Sequence, residues 1–203
     1  MAHRHISKTI ELPDAEGCIV AVISDTHGRP HLNLFSVLEQ HHPSLILHAG
    51  DIGDFDLITE LEAVSRTIYV RGNVDPAGPV WPDSVSLRIR LGISFQLDLL
   101  LVHIAVARLK LNHEVLSLIR QSPAQIVVFG HSHVPFLGRD GKTGLFNPGS
   151  AGPSRMGLPT TMGFIEIRNG QLRFEHLDLR TGLLWKPTSQ SPLPPAGRGE
   201  ESS

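Results

Sequence analysis

Seven residues of this chain offer oxygen or imidazole donors in a pattern that suggests a metal centre: Asp25, His27, Asp51, Asn73, His103, His131 and His133. Asp25-Thr26-His27 sets a carboxylate and an imidazole two residues apart. His131-Ser132-His133 does the same with two imidazoles, and in extended backbone residues i and i+2 share a face. Gly50-Asp51 and Gly72-Asn73 each put an oxygen donor beside a glycine, where the chain can bend sharply. Taken singly, these are ordinary turn dipeptides. Together they exceed what one tetrahedral ion takes, and two ions sharing a bridging carboxylate would use the whole set. Oxygen and nitrogen ligands without a thiolate suit Mn²⁺, Zn²⁺ or Fe, and match an all-oxygen Ca²⁺ cage poorly.

The donors fall where the chain leaves its apolar runs. Cys18 to Ile23, Leu45 to Leu47, Thr67 to Val70, Phe95 to Val102 and Ile126 to Phe129 read as strands. The donors follow each of them directly: Asp25 and His27, then Asp51, Asn73, His103, and last His131 with His133. Ligands of open α/β sheets bind outside the carboxyl ends of the strands. The spacing predicts helices over His31 to His42, Phe55 to Val64 and Asn112 to Arg120, the last with Asn112 as N-cap. Strand, helix, strand, helix, strand in the first half implies parallel crossovers. Ser84 to Leu91 alternates with period two, and further strands are expected at Gly144 to Phe146, Gly163 to Arg168 and Gln171 to Leu177. Asn169-Gly170 is a hairpin turn signal. The class is α/β with an antiparallel portion.

Composition narrows the function. With 203 residues, 40% of them hydrophobic and 19% charged, the chain is globular. Eighteen basic against twenty acidic residues give a net charge of −2 and no broad footprint for nucleic acid. No apolar run approaches the ~20 residues of a membrane helix, and residues 1–17 lack the apolar stretch of a secretory signal. The one cysteine, Cys18, excludes an internal disulfide and fits a reducing cytoplasm. Three regions are expected: an N-terminal extension over 1–17, a domain over 18–185, and a disordered Pro/Ser/Gly-rich tail over 186–203. His48 reads as a hydrogen-bonded core residue. His3, His5, His41, His42, His113 and His176 read as surface residues.

Asp25-x-His27, Gly50-Asp51, Gly72-Asn73-x-Asp75, His103 and Gly130-His131-x-His133 resemble the calcineurin-like metallophosphoesterases. With Asn147-Pro148-Gly149-Ser150 and Arg155, they are similar to the small bacterial and archaeal phosphodiesterase branch of that family. The resemblance covers about Ile19 to Leu177. It implies a four-layer α/β/β/α sandwich with two packed mixed β-sheets. It also implies two divalent ions, Mn²⁺ foremost and Zn²⁺, Fe or Ni²⁺ as substitutes. One ion would take Asp25, His27, Asp51 and His133. The other would take Asp51, Asn73, His103 and His131, with Asp51 bridging.

The implied activity is hydrolysis of a small phosphate ester, a diester before a monoester, by water held between the two ions. No side chain is assigned as the catalytic acid or base. Asp75 is a candidate for orienting a ligand from behind, and Asn73 and Arg155 are candidates for contacting the phosphate. Two positions depart from the family pattern. Val74 stands where many relatives carry a histidine that acts on the leaving group, and Ile104 stands where a glycine commonly follows the strand-end histidine. The alternative these departures raise is a scaffold of the same fold that binds proteins with little or no catalysis. The oligomeric state is left open.

Overall fold

Strands that are apolar on both sides need cover on both sides. The computed structural model describes residues 3–12, 17–92, 95–107, 110–155 and 157–186. In chain order these form β1 (His5–Leu12), β2 (Cys18–Ile23), α1 (Leu34–His41), β3 (Leu45–His48), α2 (Asp56–Val64), β4 (Thr67–Tyr69), β5 (Ser84–Leu91) and β6 (Phe95–Val102). There follow β7 (Val106–Ala107), β8 (Lys110–Leu111), α3 (His113–Gln121), β9 (Ile126–Val128), β10 (Phe136–Asp140), β11 (Thr143–Asn147), β12 (Thr161–Arg168), β13 (Gln171–Asp178) and β14 (Leu183–Trp185). One six-stranded sheet has the order β1-β5-β6-β9-β11-β10, and the other β14-β13-β12-β2-β3-β4. A small ribbon pairs β7 with β8.

Alternation along each strand sorts side chains between layers. In β2, Cys18, Val20 and Val22 enter the cluster between the sheets, while Ala21 and Ile23 enter the cluster under α1 and α2. In β6, Leu97, Leu99 and Leu101 face inward, and Leu100 and Val102 face the cluster under α3. In β9, Ile126 and Val128 point in and Val127 points out to α3. Three apolar clusters separate four layers, so the fold is the α/β/β/α sandwich that the resemblance implies.

The strands that carry the donors run parallel. β2 pairs β3 and β3 pairs β4 in one sheet, and β6 pairs β9 in the other. Their carboxyl ends therefore open on the same edge of each sheet. Asn112 caps α3 by accepting the Val115 amide at 2.9 Å, and Asn169 and Gly170 make the β12–β13 turn with φ of 50° and 72°.

The N-terminal extension expected over residues 1–17 contains β1, which lies parallel to β5 along its whole length and buries Ile10 and Leu12 between the sheets. Its exposed Lys8, Thr9 and Glu11 dilute the alternation that identifies a strand. The tail expected over 186–203 lies outside the described residues beyond Lys186. Among the described residues no helix is long and apolar enough to cross a membrane.

Candidate metal centre

The turns that leave β2, β3 and β9 are strained in one particular way. Seven described non-glycine residues have positive φ, and five are expected ligands: Asp25 (55°), His27 (50°), Asp51 (53°), His131 (67°) and His133 (59°). Left-handed backbone costs a non-glycine residue of order 1–3 kcal/mol and gathers at functional sites. Backbone bonds between the loops hold these turns together: the Asp25 amide donates to the Gly50 carbonyl at 3.0 Å and the His27 amide to the Asp51 carbonyl at 2.9 Å. Glycine makes the approach feasible. A Cβ on Gly72 would stand 2.2 Å from both the Asp51 amide nitrogen and its Oδ1, and one on Gly130 would stand 2.8 Å from Asp25 Oδ2. These glycines make room for the ligands themselves.

Five of the seven donors converge. The ligand atoms of Asp25, His27 and His133 lie within 4.8 Å of one another, and so do those of Asp25, Asp51 and His103. His133 Nε2 is 3.4 Å from Asp25 Oδ1. Asp51 faces both sides: Oδ1 is 3.4 Å from His103 Nε2 and Oδ2 is 3.6 Å from His27 Nε2. His27 and His133 bring their Nε2 atoms to 3.2 Å with the rings stacked. His131 joins neither triad. Its exposed ring meets that of His103 edge-on, with centroids 5.2 Å apart. Asn73 is exposed on the turn after β4 and shares with His103 the lining of a cleft beside the triads.

The donor set fits a divalent cation. His103 Nδ1 donates to the Ala49 carbonyl at 2.8 Å, which turns Nε2 toward the carboxylates. That Nε2 is buried and has no hydrogen-bond partner among the described residues. An orphaned buried nitrogen is costly unless something else takes its lone pair. His133 is set in the same way, with Nδ1 donating to the Pro153 carbonyl at 3.2 Å and Nε2 facing Asp25. A carbonyl partner on one ring nitrogen is the usual device for aiming the other at a metal.

Charge agrees with this geometry. Burial pushes the Asp25 carboxyl up to about 6, against the Ser24 hydroxyl and nearby His103. Burial also works against the Asp51 carboxylate, but His103, the Val74 amide and His27 outweigh it and hold Asp51 below the usual carboxylate range. Burial drives His133 down to about 4 and also lowers His131. Both imidazoles are therefore neutral at pH 7, the form that binds metal. His103 is the exception. Burial opposes its charge, but the Asp51 carboxylate and the Ala49 carbonyl outweigh it and raise its pKa.

Other residues hold the ligands in place. The Asp75 carboxylate accepts the amides of Ile52 at 3.1 Å, Gly53 at 2.8 Å and Gly72 at 2.7 Å, and so ties the Asp51 turn to the Asn73 turn. The Val74 amide donates to Asp51 Oδ1 at 3.0 Å. Sequence reasoning missed Ser24, whose hydroxyl lies 2.5 Å from Asp25 Oδ2 and 2.8 Å from the Gly149 carbonyl. Its signal was a buried serine directly before the first ligand. The Asn147-to-Ser150 segment brackets the same site. Asn147 donates to the Gly130 carbonyl at 2.8 Å, and the Ser150 hydroxyl lies 3.0 Å from the Asp25 and Pro153 carbonyls.

Arg155 is exposed, and its charge reaches His131 and His133, whereas Arg71 is paired with Asp83. His48 is fully buried, accepts the Gly50 amide on Nδ1 at 3.2 Å and meets Thr26 Oγ1 at 2.9 Å. His176, expected on the surface, is buried. Its Nε2 donates to the Asn147 carbonyl at 2.7 Å and its ring packs against Phe146. The signal was the alternation of β13, which puts His176 on the face of Leu172 and Phe174, the face that packs between the sheets.

Known proteins share this arrangement of chain and fold. The profile of the calcineurin-like phosphoesterase superfamily domain matches residues 19–170. A protein of Methanothermobacter thermautotrophicus named "probable metallophosphoesterase" is 32% identical over 148 residues, which are 71% of this chain and 83% of the relative. Among solved structures, vacuolar protein sorting 29 from Cryptosporidium parvum superposes with a TM-score of 0.66 at 20% identity, covering 84% of this chain and 95% of that one. A structure titled as a novel archaeal phosphodiesterase gives 0.55 at 20% identity, covering 78% of this chain and 99% of that one.

Proposed function

Since the chain belongs to the calcineurin-like phosphoesterase superfamily, we propose that it is a cytoplasmic phosphodiesterase that holds two divalent ions, Mn²⁺ foremost, and hydrolyses a small phosphate ester. The observation that carries the reading is the buried, unpartnered Nε2 of His103 facing the Asp51 carboxylate. In this reading Asp25, His27, Asp51 and His133 hold one ion, and Asp51, Asn73, His103 and His131 hold the other. Asp51 presents one oxygen to His103 and the other to His27, which supports its bridging role. Bound divalent ions supply Lewis-acid polarisation of phosphoryl oxygens and a water of lowered pKa.

The chain's own residues fix the ligands and receive the ester. Ala49 and Pro153 carbonyls set the His103 and His133 rings, and Asp75 fixes the turn that carries Asp51. Arg155 is an exposed cation whose charge reaches His131 and His133, which supports a phosphate contact in this reading. Val74 is 53% exposed and carries no proton for a leaving oxygen. A positioned general acid contributes about 10²–10⁴-fold, so diesters with good leaving groups, such as aryl esters, are expected to turn over faster than alkyl monoesters. The archaeal phosphodiesterase of the same fold also supports a diester.

The test is to strip the protein with chelator, restore Mn²⁺ and follow an aryl phosphodiester. Metal-restored turnover that disappears in Asp51→Asn is expected. A clear preference for alkyl phosphates would contradict the reading. The runner-up, a protein-binding scaffold, draws support from the exposed apolar Val74 and Ile104 and from the fold shared with the vacuolar protein sorting structure. Tight metal binding without turnover on a broad panel of esters would favour it.

A further inference from the structure

A cleft of about 240 Å³ opens directly beside the metal centre, with His103 and Asn73 in its lining. Its apolar part comes from Val102 at the end of β6, Ile104 just beyond it, and Val115 and Leu118 of α3. Its polar wall consists of two acid–base contacts. Arg71, after β4, pairs with Asp83, before β5, and His3, before β1, pairs with Glu114 in the first turn of α3.

Resting on the phosphodiesterase reading, we propose that this cleft receives one ester arm of the substrate, and that the arm is a single uncharged flat ring with polar groups on its edge. Size sets the first part. Pockets for whole drug-sized ligands run from about 300 Å³ upward, so this one takes a fragment of a molecule whose phosphate lies at the metals. Lining chemistry sets the second. Ile104 is 40% exposed at the mouth and gives an apolar face to stack on, while the paired acids and bases offer hydrogen bonds around the edge. An anionic arm would meet the Asp83 and Glu114 carboxylates, and a cationic arm would meet Arg71, while Arg71 and Asp83 already satisfy each other. His3 lies outside the matched family domain. The family match begins at residue 19, and β1 carries His3 to the cleft from outside it, with His3 Nε2 held 2.7 Å from Ser84 Oγ.

Inert phosphonates separate this proposal from the reading beneath it. The Zn²⁺-loaded protein, which gives sharp spectra, is titrated with methylphosphonate, phenylphosphonate and 3-carbamoylphenylphosphonate while the methyl resonances of Ile104, Val115 and Leu118 are followed. Phenylphosphonate is expected to bind about tenfold more tightly than methylphosphonate and to shift those methyls. The carbamoyl compound is expected to gain further, and His3→Ala and Glu114→Ala to remove that gain while leaving methylphosphonate affinity unchanged. Equal affinity for the three probes, or tighter ring binding that leaves the three methyls unmoved, overturns the cleft as the ring site even if aryl diesters are hydrolysed. A carbamoyl gain that survives both variants overturns the role of the His3–Glu114 wall. Failure of all three probes to bind, together with no turnover of any ester, overturns the phosphodiesterase reading itself.

Discussion

Asp75 touches no ligand side chain, yet it sets where Asp51 points, because three amides around that turn donate to it. Asp75→Ala would strand those amides in a buried setting, where each lost bond costs about 1–3 kcal/mol. Groups that orient ligands typically cost 10- to 100-fold in metal affinity when removed. Calorimetric Mn²⁺ titration should show a loss of about that size, and thermal melting should show destabilisation that added Mn²⁺ only partly restores. Unchanged affinity would mean that the turn holds its shape without the carboxylate. Gly72 makes a steric claim of the same kind. A methyl there would collide with the Asp51 amide and Oδ1 at 2.2 Å, whereas at Gly78 it would meet only Trp81 Cδ1 at 3.9 Å. Gly72→Ala should therefore abolish tight Mn²⁺ binding, and Gly78→Ala should bind as the parent does. Equal binding by both would show that the turn has slack.

At the scale of elements, the carboxyl end of β3 carries a pH dependence of its own, set mainly by burial. Burial, then the charge of His103, takes His48 down to about 3, despite the opposing pull of Asp51. A histidine held neutral in the fold binds its proton only on unfolding. Stability is therefore complete above the unfolded pKa of about 6.5 and falls as pH drops toward 3, by up to about 1.4 kcal/mol per unit. His133 and His176 act in the same direction, and Asp25, raised to about 6, opposes them between about 4 and 6. Urea denaturation from pH 7 to 5 isolates His48 by comparison with His48→Gln, whose amide can accept from Gly50 and donate to Thr26. The variant should show a flatter slope, and an identical slope would remove His48 from the account. Strand β1 invites a second test. Deleting residues 1–12 exposes β5 and removes Ile10 and Leu12, each worth about 1.5–3 kcal/mol of burial, so the midpoint in urea should fall sharply. These two cases also mark what the sequence makes legible. The donor-bearing strands are apolar on both faces and announce themselves, and so do Asn112 and Asn169-Gly170. β1, β10, β7 and β8 are short or half-exposed, and their alternation is lost among charged residues. The ligand turns were readable as positions, but their shared positive φ was not, because it arises from loops hydrogen-bonded across the site.

Across the whole molecule, two sheets and their crossovers bring donors from residue 25 to residue 133 to one edge, so a cation bound there ties both sheets together. A ligand of the folded state alone stabilises by about 2.7 kcal/mol at a hundredfold excess over Kd. For a chain of this size each kcal/mol moves Tm by about 2–4 °C, so saturating Mn²⁺ should raise Tm by about 5–10 °C and chelator should reverse it. The central claim is that these scattered donors grip a pair of cations, and anomalous diffraction from crystals grown with Mn²⁺ tests it most directly. The account predicts two anomalous peaks about 3.5–4 Å apart, with Asp51 between them, His27 and His133 on one and His103 and His131 on the other. No peak at this edge, or Mn²⁺ bound only elsewhere on the surface, would contradict it.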